Sequence, residues 1–544
     1  MNSTEGQAAD AHAEASRLLS DRVEDVSSDE DVESLIDREE QEELNNGRLI
    51  TVFLSLYVGV FLAALDGTIV ATLLSRIASD FNELRSVSWI ATGYLISQAA
   101  VQPLYGKLSD IFGRKPLLLI SNVLFGIGSV LCGIAPNMWF LVAARAIAGT
   151  GGGGLSTLSA ITLSDIVSLR QRGLLQGIGN VLYGCGAAFG GIVGGILTET
   201  VGWRWTFAMQ GPIIVLSMMA IQMNLDLPKK PVDKSLLKRI DFAGSFTLVS
   251  GLCLFLFSVS VGGNYFPWKS FTVLGLLVLS FVVIASFVYI ELYIAKEPVL
   301  PLRLLKDRTV RGSAFTSWFM TMVYFSNIFY TAIFMIAVKG ESPTKSGSSL
   351  IPQFIGSATG SMVCGLYMRT TGRYKPMSYL AAFCLVSGSL LLCTITQNSN
   401  TVLVGCYLLL PGFGGGIYLT VTLVGLIASV PHDLQAVCTA IQYGFRGTGS
   451  TIGVAIGAAI FQNVLSARLH ERITGPGAKE IIDLVSDSAE MIGSIPEEFR
   501  APVTQSYLDA VHAVLYASAF FATCAGLASF TMKEHVLHKS VNRR

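Results

Sequence analysis

The chain has 544 residues, 51% of them hydrophobic and 14% charged, with a mean hydropathy of +0.56. That composition excludes an ordinary soluble globular protein and marks a polytopic membrane protein. The formal net charge of +0 hides an asymmetry: residues 1–47 hold 15 acids against 3 bases, leaving 23 acids and 35 bases for the rest.

The first 48 residues are polar and lack an apolar core, so the first membrane helix is expected to act as its own insertion signal. This tail is acidic and poor in aromatics, a composition that predicts disorder. Glu14-Ala15-Ser16-Arg17-Leu18-Leu19 and Asp31-Val32-Glu33-Ser34-Leu35-Ile36 each place an acid ahead of a paired aliphatic. Both resemble acidic dileucine sorting signals, which would engage a vesicle-sorting adaptor through Glu14, Leu18 and Leu19; chance in an acid-rich tail is the alternative.

From Leu49 onward about 14 apolar runs of membrane-crossing length recur, near 50–74, 88–105, 116–135, 138–163, 174–198, 205–225, 241–261, 271–293, 312–337, 347–367, 377–396, 402–428, 437–465 and 509–531. An even count puts both termini on one side. Loops after even-numbered spans hold 18 Lys and Arg, and the short loops after odd-numbered spans hold 6, which predicts cytosolic even loops and termini. A short surface helix is expected in the long 466–508 loop. The nine cysteines sit inside apolar runs without ligand-like spacing, so they read as packing residues and no metal is implied.

Between spans 2 and 3 lies Gly106-Lys107-Leu108-Ser109-Asp110-Ile111-Phe112-Gly113-Arg114-Lys115, a charged turn with two glycines. Its spacing returns after span 10 as Gly365-Leu366-Tyr367-Met368-Arg369-Thr370-Thr371-Gly372-Arg373, with Arg369 in the place of Asp110. Eight spans separate the copies, which equals a six-helix repeat plus two inserted helices, most simply spans 7 and 8. The predicted fold is therefore all-α: two six-helix bundles around a midplane site, with an inserted pair. The corresponding segments are a tail at 1–48, a bundle at 49–228, the inserted helices and linkers at 229–308, a second bundle at 309–532 and a tail at 533–544.

With these features the chain resembles the major facilitator superfamily, more narrowly its 14-span drug:proton antiporter branch and, within that, fungal vacuolar basic amino acid transporters. Residues 106–115 match the family's loop motif, Leu65-Asp66-Gly67-Thr68-Ile69-Val70 its span-1 motif and Leu141 to Gly149 its span-4 motif. Gly202-Trp203-Arg204-Trp205-Thr206-Phe207 and Asp165 to Gly173 resemble its loops. The span-5 motif departs from the pattern, because Gly191 stands where the antiporter motif has proline. Gly186, Gly190 and Gly194 still give one smooth helix face for close packing. The resemblance implies a proton-coupled antiporter that moves basic amino acids into the vacuole as a monomer; export of amphipathic toxins at the plasma membrane is the alternative.

Ionisable groups at bilayer depth are costly, about 2.5–3.5 kcal/mol on insertion scales, and are functional candidates. Asp66 suits a group that loads and releases a proton, and the resemblance makes Arg145 its partner; a structural ion pair is the alternative. Arg446 in span 13 could meet a substrate carboxylate or satisfy backbone carbonyls. Gln98, Asn180, Asn327, Gln353 and Gln442 are further candidates for the cavity. In related transporters the loop residues Gly106, Asp110, Gly113, Arg114 and Lys115 have a gating role. Gly149-Thr150-Gly151-Gly152-Gly153-Gly154 fits a dinucleotide fingerprint only formally, since it lies in a membrane helix with no preceding strand, and there is no Walker A sequence. Neither an enzyme nor a cofactor is indicated, and nothing points to nucleic acid.

Overall fold

A computed structural model describes residues 29–81, 88–225, 240–262, 266–341, 343–431, 434–474, 478–487, 492 and 495–537. The chain forms two compact units, Met1–Ser55 and Leu56–Arg544. The described part of the first is helical, with Thr51 Oγ1 donating to Gly47 O at 3.0 Å and Ser55 Oγ to Thr51 O at 2.8 Å.

Fourteen long helices are described: α1 Asp29–Phe81, α2 Ser88–Phe112, α3 Arg114–Gly133, α4 Met138–Ile166, α5 Leu169–Thr200, α6 in two pieces (Trp203–Ala208 and Gln210–Asn224), α7 Phe242–Val261, α8 Phe271–Tyr293, α9 Arg308–Ile333, α10 Ile351–Thr371, α11 Lys375–Leu392, α12 Thr401–Ala428, α13 Gln435–Arg472 and α14 Glu497–Phe530. Each matches one predicted span. Ten are long and apolar enough to cross a membrane. The other four, α2, α4, α5 and α10, have 25, 29, 32 and 21 residues, so length is not what they lack. They carry Gly, Ser and Gln because much of their surface faces protein instead of lipid; α4 is buried along most of its course.

Three boundaries correct the sequence reading. Helix α1 begins at Asp29, so the chain is helical from there, against the predicted disorder; six of the residues from Asp29 to Arg48 are Glu, a good helix former. Helix α5 begins at Leu169, capped by Ser168, which draws Arg172 out of the predicted loop and into the protein. Span 10 starts at Ile351 because a separate short helix, Pro343–Ser348, precedes it. The long loop carries the helix Ala478–Asp487.

Helices α1 to α6 and α9 to α14 make the two bundles. They meet where α2 packs on α13 and α5 packs on α10. The inserted pair, α7 and α8, pack on each other, and α7 also touches α2 and α13. In each bundle the loop motif does two jobs. Its second glycine makes the turn, with φ of 91° at Gly113 and 69° at Gly372, conformations that a side chain would strain. Its first glycine lets the halves touch: a Cβ on Gly106 would lie 2.6 Å from Ala440 Cβ of α13, and one on Gly365 would lie 2.6 Å from Gly173 O of α5. The two halves are therefore in direct contact at the end carrying the even-numbered loops.

At that end the second bundle is strapped by the segment after α14. Tyr374 donates its hydroxyl proton to Lys533 O and accepts from His535 N at 3.2 Å, while Leu537 N donates to Gly372 O at 3.3 Å. Met532 and Leu537 of this segment are buried against the second bundle.

Candidate functional site

Asp66 lies on α1 in an apolar cluster built from Leu65, Ile69, Cys132, Leu141, Ala144 and Phe207. Arg145 enters the same cluster from α4, seven residues beyond the helix start at Met138 and so about 11 Å along its axis. Arg145 Nη1 and Asp66 Oδ2 are 2.5 Å apart, and neither side chain is exposed. Gln210 of α6 donates to Asp66 Oδ1 at 3.1 Å, and Arg145 Nε donates to Ile90 O at 3.4 Å. The guanidinium lies over Tyr94, 4.3 Å from the ring centroid, and Tyr94 in turn donates its hydroxyl to Ala63 O at 3.2 Å. Helices α1, α2, α4 and α6 thus converge on one neutral ion pair. Removing either charge would leave the other buried and uncompensated, an effect of several kcal/mol.

The glycine face of α5 fits against this site. A Cβ on Gly186 would lie 2.5 Å from Phe61 O, and one on Gly190 would lie 2.5 Å from Leu65 O. Gly194 is also buried, and α5 runs unbroken through Gly191. The run at Gly149 to Gly154 serves packing too: a Cβ on Gly151 would clash with Phe125 N of α3, and one on Gly152 with the Tyr94 hydroxyl of α2.

The remaining candidates separate into two sets. Asn180 of α5 bridges the halves, donating to Ser361 Oγ at 3.2 Å and Thr420 Oγ1 at 3.3 Å, while Gln176 donates to its oxygen at 3.1 Å. Arg446 of α13 donates to Leu419 O at 2.5 Å and lies 5.1 Å from the Tyr443 ring centroid; its Nε has no hydrogen-bond partner. Gln353 donates to Tyr324 O at 3.1 Å, and its oxygen is unpartnered. Gln98 is half-buried with its stem against Gly153.

Asn327 and Gln442, like Gln353, are fully buried and tie helices inside the second bundle. Asn327 accepts from Ser518 Oγ of α14 at 2.8 Å. The Gln442 oxygen accepts from Ser317 Oγ at 3.0 Å and Thr422 Oγ1 at 2.6 Å.

At the even-loop end Arg114 is the hub. Its Nη1 bonds Asp110 at 2.6 Å and Ser109 Oγ at 2.6 Å, and its Nε bonds Asp165, at the end of α4, at 2.8 Å. Lys115 donates to Gln222 O of α6 at 2.8 Å, and Lys107 pairs with Glu297 at 2.9 Å. One guanidinium therefore holds the ends of α2, α3 and α4 together. Sequence reasoning missed Gln210, Tyr94, Asp165 and Arg172; Asp165 and Arg172 stand in a motif that reads as a loop. Glu14, Leu18 and Leu19 fall outside the described residues.

The model of the Major Facilitator Superfamily matches residues 56–458. The chain belongs to that superfamily. It is a multi-pass membrane transporter and not an enzyme. It is 36% identical to "Multidrug resistance protein fnx1" of Schizosaccharomyces pombe over 91% of this chain and 94% of that protein. It is likewise 36% identical to "Vacuolar membrane amino acid uptake transporter fnx2" of the same organism, over 89% of this chain and 84% of that one. Among solved structures, the human organic anion transporter MFSD10 superposes with a TM-score of 0.58 at 14% identity, covering 87% of this chain and 99% of that one. The proton:xylose symporter XylE gives 0.54 at 16% identity over 88% and 95%. These two likenesses concern the fold.

Proposed function

We propose that this superfamily member is a proton-coupled antiporter that moves basic amino acids from the cytosol into the vacuole, with both termini cytosolic. The observation that carries the coupling is the buried Asp66–Arg145 pair with Gln210 on its free oxygen. A proton arriving on Asp66 neutralises it and leaves Arg145 charged in an apolar cluster. That state is costly unless the helices around it rearrange, so proton binding and helix movement are linked. Arg446, Asn180 and Gln98 line the path of the substrate, and Asp110, Arg114 and Lys115 latch the even-loop end when the cavity faces away from the cytosol.

The amino acid reading is supported by the similarity to the vacuolar uptake transporter. Export of amphipathic toxins at the plasma membrane is the second reading, supported by the equal similarity to a multidrug resistance protein. Uptake into proteoliposomes under an imposed pH gradient, run with lysine, arginine, histidine and a panel of amphipathic drugs, tests both. Proton-driven uptake of the amino acids alone supports the first, and drug transport without amino acid transport overturns it. Vacuolar delivery is attributed to an adaptor that reads Glu14, Leu18 and Leu19; Leu18→Ala with Leu19→Ala should then relocate the protein.

A further inference from the structure

Between α11 and α14 the second bundle carries a groove of about 730 Å³. One wall is the α11 stripe Tyr379, Ala382, Val386 and Leu390, and the other includes Gly526 and Phe530 of α14. Phe383, Leu527 and Phe530, which also line it, are exposed. Its aliphatic hydroxyls are already satisfied by their own helices: Ser387 Oγ donates to Phe383 O at 2.6 Å, and Thr523 Oγ1 donates to Ala519 O at 3.0 Å. The groove beyond Tyr379 therefore presents an apolar surface, suited to hydrocarbon and not to a polar solute.

Length and charge indicate what covers it. From Tyr379 to Leu390 the groove runs about 16 Å along α11, close to half of a hydrocarbon core of about 30 Å. A partner helix would use the whole thickness, whereas a lipid chain of one leaflet uses half. The groove begins at the even-loop end, where the rings of Tyr379 and Phe530 meet with centroids 5.6 Å apart. Lys375 stands one turn before Tyr379 on the same stripe of α11. Lys533 is brought beside it, because Tyr374 donates its hydroxyl to Lys533 O. Arg373, in the same turn, and Lys533 are exposed. None of these three cations has an ion pair among the described residues. The only acid in the strap from Met532 to Leu537 is the exposed Glu534. Basic side chains at the mouth of an apolar groove between membrane helices match an anionic lipid headgroup. We propose that an anionic phospholipid of the leaflet at the even-loop end binds here, with its headgroup on Arg373, Lys375 and Lys533 and an acyl chain between α11 and α14. The lipid joins α11 to the segment after α14 and so braces the strap held by Tyr374. The site belongs to the bundle opposite the Asp66 pair and is independent of which substrate is carried.

The test uses the full-length protein in detergent, titrated with dioleoylphosphatidylserine or dioleoylphosphatidylcholine, with melting temperature as the readout. Phosphatidylserine should raise the melting temperature by several degrees, and phosphatidylcholine should not. Lys375→Gln combined with Lys533→Gln should weaken the response at least tenfold in lipid concentration. Gly526→Leu, which fills the groove, should do the same; a Cβ there meets Ala382 Cβ at 3.5 Å, an ordinary contact, so the backbone tolerates the change. Equal stabilisation of the wild type by the two lipids overturns the site, as does an unchanged response in folded Gly526→Leu. Glycerophosphoserine, the headgroup without chains, should have no effect; stabilisation equal to that by the whole lipid would mean that the groove plays no part, and overturns it too. A wild-type dimer that Gly526→Leu converts to a monomer would show a second copy in the groove and also contradict the lipid. The comparison of lipids on the wild type stands even if a variant fails to fold.

Discussion

Arg145 Nη1 meets Asp66 Oδ2 at 2.5 Å with both side chains sealed from solvent, joining α4 to α1 inside the first bundle. Breaking a buried pair from one side costs far more than an exposed bridge would. Arg145→Met is therefore expected to destabilise the protein by about 3–5 kcal/mol. The double variant Asp66→Asn with Arg145→Met should recover a large part of that loss. Thermal unfolding of the two singles and the double measures the coupling, and simple additivity would argue against a direct pair.

Gly106 and Gly365 are two of the points where backbone meets backbone across the halves. Gly106→Val or Gly365→Val should hold the even-loop end apart and abolish transport while the protein remains folded. A cysteine introduced as Ala440→Cys should then label several-fold faster in the Gly106→Val background. Unchanged labelling together with normal transport would contradict the close approach of the two halves.

The Arg114 hub is partly exposed, so its ion pairs are weaker. Arg114→Ala should cost about 1 kcal/mol for each of the two carboxylates, Asp110 and Asp165, that it leaves without the guanidinium. Together that shifts the balance between conformations by up to about thirtyfold without unfolding the protein, and it should appear as a changed transport rate with little change in melting temperature. A collapse in stability would show that the hub is structural instead.

Tyr374 connects the second bundle's turn to the segment after α14. Its hydroxyl serves Lys533 O and His535 N in a buried setting, and burial pushes the phenol well above its ordinary range, so it stays protonated and able to donate. Tyr374→Phe should cost about 1–3 kcal/mol, because Lys533 O and His535 N lose a buried partner. The loss should be read by thermal unfolding and proteolysis of the C-terminal segment.

The helix count and the repeat were legible in the sequence, because apolar run length and the motif at Gly106 and Gly365 are local signals. So was Asp66, an acid with no local reason to sit in an apolar run. Arg172 was not legible: the fourth residue of α5 and close to Arg170, it carries the same local signature as a loop arginine. Only the packing of α5 against α4 shows it to be buried. Gln442 and Asn327 failed to separate from Asn180 for a related reason. A polar residue in an apolar span gives no indication of which neighbouring helix it faces, and here these two face helices of their own bundle.

The most direct measurement is pH-gradient-driven uptake of arginine into proteoliposomes by the wild type and by Asp66→Asn, with the folded state of each checked by its melting temperature. Acidifying the receiving compartment should accelerate wild-type uptake and leave the variant's uptake unchanged. Full acceleration in a folded Asp66→Asn protein would contradict Asp66 as the proton carrier.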